Sequence, residues 1–375
     1  MCFSFFNFFL YFCKFYYHTT MKKFFCVILL IINLLFALLL VLSTLAGKVA
    51  PSRFVPISIL SYGYFVLLLC NVVFVIIWLC LSRWEFLVSV AAIVVRLSFV
   101  PLFFQVGGNI EAEAADDNIK FMTFNTHAFE GLDSDTAMTS DSGAHVFLTL
   151  VDKEQPDVLC LQEFFRPRHV AVADSLKAKD YKHHYGVRGN NVASPLILFS
   201  RCPIVRVHDL DKQSKFCVDI AKGGHEVRVC CVHLDSYQLT EEDMEGLESL
   251  SHAKPDSNTH RLYKKFKETT LRHEQEWLGE LRPLVEASEL PFVLMGDFND
   301  TPASYIYQRT KNFLLDPYVE QGRGFGTTYH GPFPAFRIDY ILHTPDLEAL
   351  SYKRVNTYIS DHYPVVVNLR LKGEK

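Results

Sequence analysis

The first 110 residues of this 375-residue chain hold a single acidic residue, Glu85, against seven bases. The remainder holds thirty bases and forty acids, a net excess of ten acids with histidine neutral. Long nucleic acids recruit basic surfaces, so an acid-rich main part makes them poor partners and favours a site that concentrates cations. No basic, aromatic-interleaved stretch offsets this. Lys264-Lys265-Phe266-Lys267 is basic, but it opens a helix and reads as its solvated face. No CxxC pair and no ligand-like Cys/His spacing occurs among the ten cysteines, which argues against a zinc site. Five cysteines fall in each part, an odd number that leaves the redox compartment open; Cys160 and Cys230 read as small buried hydrophobes. No internal repeat is present.

What the N-terminal part does hold is long apolar runs. Residues 24–46 and 57–81 carry no charge, and 84–106 contain Glu85 at the edge and Arg96 inside. A helix needs ~20 apolar residues to cross a bilayer core. All three therefore read as transmembrane helices, with Arg96 costing at least ~2.5 kcal/mol in the third. The first run exceeds the ~7–15 residues of a signal peptide's apolar region. Lys14, Lys22, Lys23 and Arg83 lie on one side of such an arrangement, Lys48 and Arg53 on the other. The positive-inside rule then places the C-terminal domain outside the cytoplasm. Met21-Lys22-Lys23 is a more ordinary start than the aromatic-rich residues 1–20, so translation is expected to begin at Met21. Residues 111–118 form an acidic linker, and 241–257 a polar loop.

From residue 119 onward, strand and helix patterns intermix, which gives an α/β or α+β domain. Strands are expected at 119–125, 157–162, 194–199, 226–232, 292–295, 338–342 and 364–369, and helices at 145–153, 169–177 and 266–285. The apolar run Pro291–Met295 stops at Gly296, where the chain is expected to bend, and presents Asp297 and Asn299 two residues apart. If extended geometry continues, both point the same way.

Similar endings recur. Asn125, Glu163 and His233 each close or follow a strand-like run, and Asp361-His362 precedes the last one. Asp339 lies among apolar neighbours. A carboxylate there is expected to be buried and paired with a histidine, since an unpaired buried charge is costly. Each has a structural alternative: Asn125 or Asp361 as a turn cap, Glu163 as a strand-end charge, His233 as a satisfied core histidine, Asp339 as half of an ion pair. Their repeated placement at strand ends points to one shared site.

The same residues carry a resemblance. Thr123-Phe124-Asn125, Leu161-Gln162-Glu163, Ser200-Arg201-Cys202-Pro203-Ile204, Val232-His233-Leu234, Gly296-Asp297-Phe298-Asn299-Asp300, Arg337-Ile338-Asp339-Tyr340-Ile341 and Ser360-Asp361-His362-Tyr363-Pro364-Val365 resemble, in order and context, the motifs of the endonuclease/exonuclease/phosphatase superfamily. The resemblance covers 119–370. It implies the deoxyribonuclease I-like fold, a four-layer α/β sandwich of two face-to-face β-sheets flanked by helices. It also implies hydrolysis of a phosphodiester or phosphomonoester with Mg²⁺ or Mn²⁺. Carried over, Glu163 is the principal metal ligand, with Asn125 and Asp361 beside the metal. Asp297 orients or deprotonates the attacking water, and Asn299 supports the phosphoryl oxygens. His362, fixed by Asp339, contacts the phosphate, and His233 matches a second histidine assigned to acid catalysis or phosphate binding.

The leading expectation is a membrane-anchored phosphoesterase acting on small phosphodiesters or lipid headgroups. The alternatives are an extracytoplasmic nuclease and a catalytically silent, membrane-bound binding module.

Overall fold

Apolar alternation along residues 118–125 sends Ile119 and Phe121 to one side and Met122 and Phe124 to the other, with both sides buried. A strand buried on both faces belongs at the centre of a covered sheet. The same holds at 292–297, where Phe292 and Leu294 face one core and Val293 and Met295 another. These two strands anchor the two large sheets among the described residues, beside a two-stranded pairing of Phe104–Gln105 with Gly324–Phe325. The computed structural model describes residues 2–111, 117–129, 140–164, 168–188, 194–211, 214–240, 242–243, 257–330 and 336–372. Most of the expected linker (112–116) and polar loop (241, 244–256) lies outside the described residues.

The N-terminal region comprises α1 (Cys2–Ser43), α2 (Val55–Tyr62), α3 (Tyr64–Cys80) and α4 (Phe86–Val95). A 3₁₀ segment, Leu97–Leu102, and the two-residue β1 (Phe104–Gln105) follow. The rest contains β2 (Asn118–Asn125), α5 (Ser140–Glu154), β3 (Val158–Gln162), α6 (Arg168–Ala178), β4 (His183–Gly186), β5 (Leu196–Ser200), β6 (Ile204–Asp211), β7 (Lys215–Lys222) and β8 (His225–His233). A long helix, Ser257–Glu276, continues through a π turn to Glu286 and leads to β9 (Phe292–Asp297). Short helices Tyr305–Thr310 and Pro317–Gln321, then β10 (Gly324–Phe325), β11 (Asp339–His343), β12 (Leu347–Arg354) and β13 (Val365–Leu371), complete the chain.

One sheet has the order β11-β9-β8-β7-β6, the other β12-β13-β2-β3-β5-β4. Between them lies a core containing Phe121, Val229, Met295 and Val367. The six-stranded sheet buries its other face under α5 and α6, through Phe124, Phe147, Leu159 and Leu176. Each such large side chain contributes roughly 1.5–3 kcal/mol when fully buried. The outer face of the five-stranded sheet meets the long helix through Trp277 and Leu281. The result is a four-layer α/β sandwich. Cys217 and Cys230 face one another on β7 and β8 and form a disulfide, so Cys230 is a bridged residue and not simply a small hydrophobe.

The N-terminal helices are built the other way round. Phe24, Phe25, Ile31, Leu35, Val66, Val73, Ile76 and Val94 are exposed. The buried centre holds a polar network beside Leu40, Leu67, Phe74 and Trp78: Asn33 Nδ2 donates to Ser89 Oγ (2.6 Å), Ser89 Oγ to Asn71 Oδ1 (2.9 Å), and Trp78 Nε1 to Asn33 Oδ1 (2.9 Å). One helical stretch, Lys22–Ser43, is long and apolar enough to cross a membrane. The second expected span is broken at Gly63, where α2 and α3 meet at 66°. The third forms only the ten-residue α4 before the 3₁₀ segment. Ten helical residues extend ~15 Å, and Pro101 lacks the N–H that would continue an α-helix. This region shares a core with the sandwich: Leu40, Tyr64, Leu102 and Phe103 pack with Phe298, Ile306, Tyr307 and Tyr340.

Candidate active site

Each of the two large sheets contains one parallel pair, β2 with β3 and β8 with β9. Parallel neighbours end at the same edge, so Asn125 lies opposite Gln162, just before Glu163, and His233 lies opposite Asp297. The antiparallel β11 begins there too, with Asp339 opposite Asp297. The sandwich brings both edges together, and atoms from the two sheets touch. Asn125 Nδ2 donates to Glu163 Oε1 at 3.1 Å and to Asp297 Oδ2 at 3.0 Å.

Gly296 makes this edge possible by close approach. It is paired within β9, opposite Val232, and a Cβ there would fall 1.9 Å from the Val232 carbonyl oxygen. Its φ of 139° also lies where side chains are disfavoured. The strand therefore runs through Gly296 to Asp297, beyond the expected bend. Extension stops at Asn299, which adopts φ 50°, so Asn299 does not share a direction with Asp297. Its backbone N–H donates to Asp297 Oδ1 at 2.8 Å, an Asx turn, and its amide donates to the Leu234 carbonyl at 2.8 Å. Glu163 also has positive φ, 56°. Strain of that kind in a non-glycine residue costs ~1–3 kcal/mol and clusters at functional positions.

Asp297 is fully buried and accepts from both Asn125 and the Asn299 backbone. The Nε2 atoms of His233 and His362 each lie 3.8 Å from its Oδ2. His233 Nε2 is also 4.0 Å from Glu163. The ring of His362 is held from behind by Asp339, 2.9 Å from Nδ1. Asp339 is in turn fixed through its backbone: its N–H and that of Ile338 both donate to Thr328 Oγ1, at 3.1 and 2.9 Å. Burial opposes charge on His362, but the Asp339 and Asp297 carboxylates outweigh it and push its pKa up to about 10. Burial also raises the Asp339 carboxyl, with His362 pulling it back.

Asp361 is joined to this group through Ser360, whose hydroxyl donates to the Asn125 carbonyl at 2.8 Å. Its Oδ1 lies 2.8 Å from His127 Nδ1. Burial works against the Asp361 carboxylate, but His127 and His362 hold it below its ordinary value. Tyr329 reports the charge of the whole cluster. Its hydroxyl is pushed up to about 12, first by burial and then by Asp361, Asp297 and Glu163. The structure thus gathers seven of the eight expected residues by direct contact or one intermediary, and Asn299 supports Asp297 through its backbone.

His127, Thr328, Tyr329 and Ser360 were not anticipated. His127 stands two residues after Asn125, a spacing that offered a signal. Thr328 and Tyr329 are tied to Asp339 and to His362 only by long-range pairing, and no local pattern marks them.

The donor set suits a hard divalent cation. Four carboxylates gather with no lysine or arginine paired to them among the described residues. Glu163 and Asp361 keep 34% and 25% of their side chains exposed, whereas Asp297 and Asp339 are enclosed. Accessible carboxylate oxygens beside a buried negative cluster are what Mg²⁺ or Mn²⁺ takes as ligands. Asp297, Asp339 and His362 also present ligand atoms within 4.8 Å of one another. His362 Nδ1 is already bonded within that trio, so the accessible side belongs to Glu163 and Asp361.

Comparison with known proteins follows the same boundaries. Residues 122–362 match a family model described as the endonuclease/exonuclease/phosphatase family. Residues 22–103 match a second model, described as a domain of unknown function. A comparison with curated protein sequences gives no match. Among solved structures, an endonuclease/exonuclease/phosphatase from Beutenbergia cavernae is similar at 20% identity and TM-score 0.45, over 68% of this chain and 72% of that one. The human Nocturnin catalytic domain, with bound sulfate, is similar at 16% and 0.47, over 70% and 97%. A family protein from Bacteroides thetaiotaomicron is similar at 19% and 0.46, over 68% and 99%.

Proposed function

Because the chain belongs to the endonuclease/exonuclease/phosphatase family, whose members are hydrolases of phosphoesters, we propose that it is a membrane-anchored, divalent-metal-dependent phosphoesterase for small phosphodiesters, phosphomonoesters or lipid headgroups. The observation that carries this reading is the convergence of His233, Asp297 and His362 beside the accessible Glu163 carboxylate. Glu163, Asn125 and Asp361 would hold Mg²⁺ or Mn²⁺, which neutralises charge on the phosphoryl oxygens when bound. Asp297 accepts the proton of the attacking water and is kept in place by Asn125 and the Asn299 backbone. His362 binds the phosphoryl group through Nε2, with Asp339 fixing its ring and favouring its charge. His233, whose Nε2 lies near both Asp297 and Glu163, donates a proton to the leaving oxygen. A positioned acid or base contributes typically ~10²–10⁴-fold.

Placement in the membrane is supported by the outward apolar faces and inward polar bonds of α1, α3 and α4. Apolar surface on the outside is what lipid solvates, while buried polar groups bond across helices. Orientation follows from α1. The loop after α1 touches the sandwich: Ser52 bonds Glu274, from both its backbone and its hydroxyl. Lys22 and Lys23 stand at the opposite end of the apolar stretch. Lys48 and Arg53 lie at the sandwich end, so positive-inside supports a sandwich outside the cytoplasm when α2–α3 and α4 both cross, which sets Arg83 beside Lys14, Lys22 and Lys23. The Cys217–Cys230 disulfide suits an oxidising compartment.

The test uses the full chain in detergent, beside its Asp297→Ala variant, with Mg²⁺, Mn²⁺ or chelator. The substrates are an aryl phosphodiester, an aryl phosphomonoester, phospholipids and single- and double-stranded DNA. Metal-dependent turnover absent from the variant supports the reading. Preference for DNA with strong salt dependence would move it to a nuclease.

A further inference from the structure

Tyr62 ends α2 immediately before the bend at Gly63, yet its hydroxyl leaves the helical region altogether. It donates to Asp300 Oδ1 and also meets the hydroxyl of Tyr237. Its ring packs edge-on against Tyr237, Phe266 and Phe336, with centroids 5.2, 5.4 and 6.0 Å away. Asp300 is buried, three residues after Asp297 and next to Asn299. Its other oxygen receives His273 Nδ1 at 3.0 Å, while His273 Nε2 donates to the Asp235 carbonyl at 2.9 Å. Both ring nitrogens face acceptors; burial opposes charge on His273, but the bond to Asp300 outweighs it and raises its pKa. The Asp300 carbonyl, meanwhile, accepts from Tyr340 Oη at 2.9 Å.

A second tether reaches the neighbouring strand. The fully buried Arg337, two residues before Asp339, donates to the Leu102 carbonyl at 3.2 Å and pairs with Asp316 at 2.8 Å. Beside it the Phe103 carbonyl accepts from the Gly326 N–H at 3.1 Å, two residues before Thr328, whose hydroxyl holds the Asp339 backbone. Asp297 and Asp339 lie opposite one another in the β9–β11 register. The N-terminal region therefore grips the segment after one catalytic carboxylate and the segment before the other.

We infer that the N-terminal region is part of the catalytic scaffold, and that Tyr62 is a positioning residue which sets the Asp297–Asp300 turn by holding Asp300. Removing the hydroxyl leaves a buried carboxylate one donor short, and the turn that carries Asp297 and Asn299 loosens. Such a loss falls on turnover and not on substrate capture, because Tyr62 touches neither the accessible Glu163 nor Asp361. The catalytic half of this inference rests on the phosphoesterase reading; the structural half does not.

The experiment compares the full chain in detergent with its Tyr62→Phe variant. Tyr62→Phe retains the packed ring and so tests the hydroxyl alone. Hydrogen exchange of the 296–304 segment is expected to accelerate at least tenfold in Tyr62→Phe, with β3 unchanged. On the aryl ester that the wild-type protein turns over best, kcat is expected to fall at least tenfold with KM and the half-saturating Mg²⁺ concentration unchanged. Equal exchange of 296–304 in wild type and Tyr62→Phe would overturn the inference, whether or not a substrate is turned over. So would wild-type kcat in Tyr62→Phe when Asp297→Ala is inactive. Absence of turnover in the wild type counts against the phosphoesterase reading alone, and the exchange result still decides the role of Tyr62.

Discussion

The two parallel strand pairs are built alike and end differently. The β2–β3 pair closes on Asn125 and Glu163, and Glu163 keeps a third of its side chain in solvent. The β8–β9 pair closes on His233 and Asp297, where Asp297 is enclosed and the two imidazoles converge on one of its oxygens. One topology thus supplies an accessible oxygen edge suited to a cation and an enclosed edge suited to proton transfer. Exposure, more than residue type, separates the two roles: Glu163 and Asp297 are both carboxylates. A group that must meet a hydrated ion stays open, and a group that must hold a water in one orientation is enclosed by fixed partners.

The sharpest way to break this comparison is to remove one group from each edge. Asp297→Ala and His362→Ala are each expected to lower kcat by ~10²–10⁴-fold, with an unchanged circular dichroism spectrum; near-normal activity in either purified variant would defeat the assignment. Glu163→Gln is expected to act on the other edge. It should raise the half-saturating Mg²⁺ concentration at least tenfold while leaving kcat at saturating metal within a few-fold of wild type. A metal titration of initial rates separates the two effects.

Smaller effects concern stability. Saturation at ~100 times the dissociation constant stabilises the folded state by ~2.7 kcal/mol, so Mg²⁺ is expected to raise the thermal midpoint by several degrees. Glu163→Gln should abolish most of that rise. The smallest effect tests the enclosed edge by pH, in chelator. His362 has a raised folded pKa, so its stabilisation is full below the ordinary histidine value of ~6.5. That stabilisation is lost as pH rises through about 10. The gap in thermal midpoint between wild type and Asp339→Asn is therefore widest near pH 6 and narrows towards pH 10. A gap that widened over this range would contradict the pairing.

Much of this was legible in the sequence because β-strand ends are local. Asn125, Glu163, His233 and Asp297 stand at the close of apolar runs, and Asp339 announces a buried partner by its apolar neighbours. The sheets were legible mainly where strands carry uninterrupted apolar runs. The polar-alternating β6 and β12 and the short β4 were missed, since their patterns resemble loops, and β7 was missed although buried on both faces, because Lys215, Asp219 and Lys222 interrupt its apolar residues. The long helix begins at Ser257, not Phe266, so Lys264–Lys267 lies within it, and Lys265 is bound to Asp243 at 2.6 Å. Contacts between distant segments left no local trace. The Tyr62–Asp300 bond spans 238 positions, the Thr328 support of Asp339 depends on a fold-wide register, and five cysteines did not reveal which two would face each other.

The most direct measurement is metal-dependent ester hydrolysis by the full chain in detergent, run beside Asp297→Ala with Mg²⁺ and with chelator. The account predicts turnover that needs both the metal and the Asp297 carboxylate. Metal binding by the folded protein without turnover on any phosphodiester, phosphomonoester, phospholipid or DNA would contradict it and favour a silent, membrane-bound binding module.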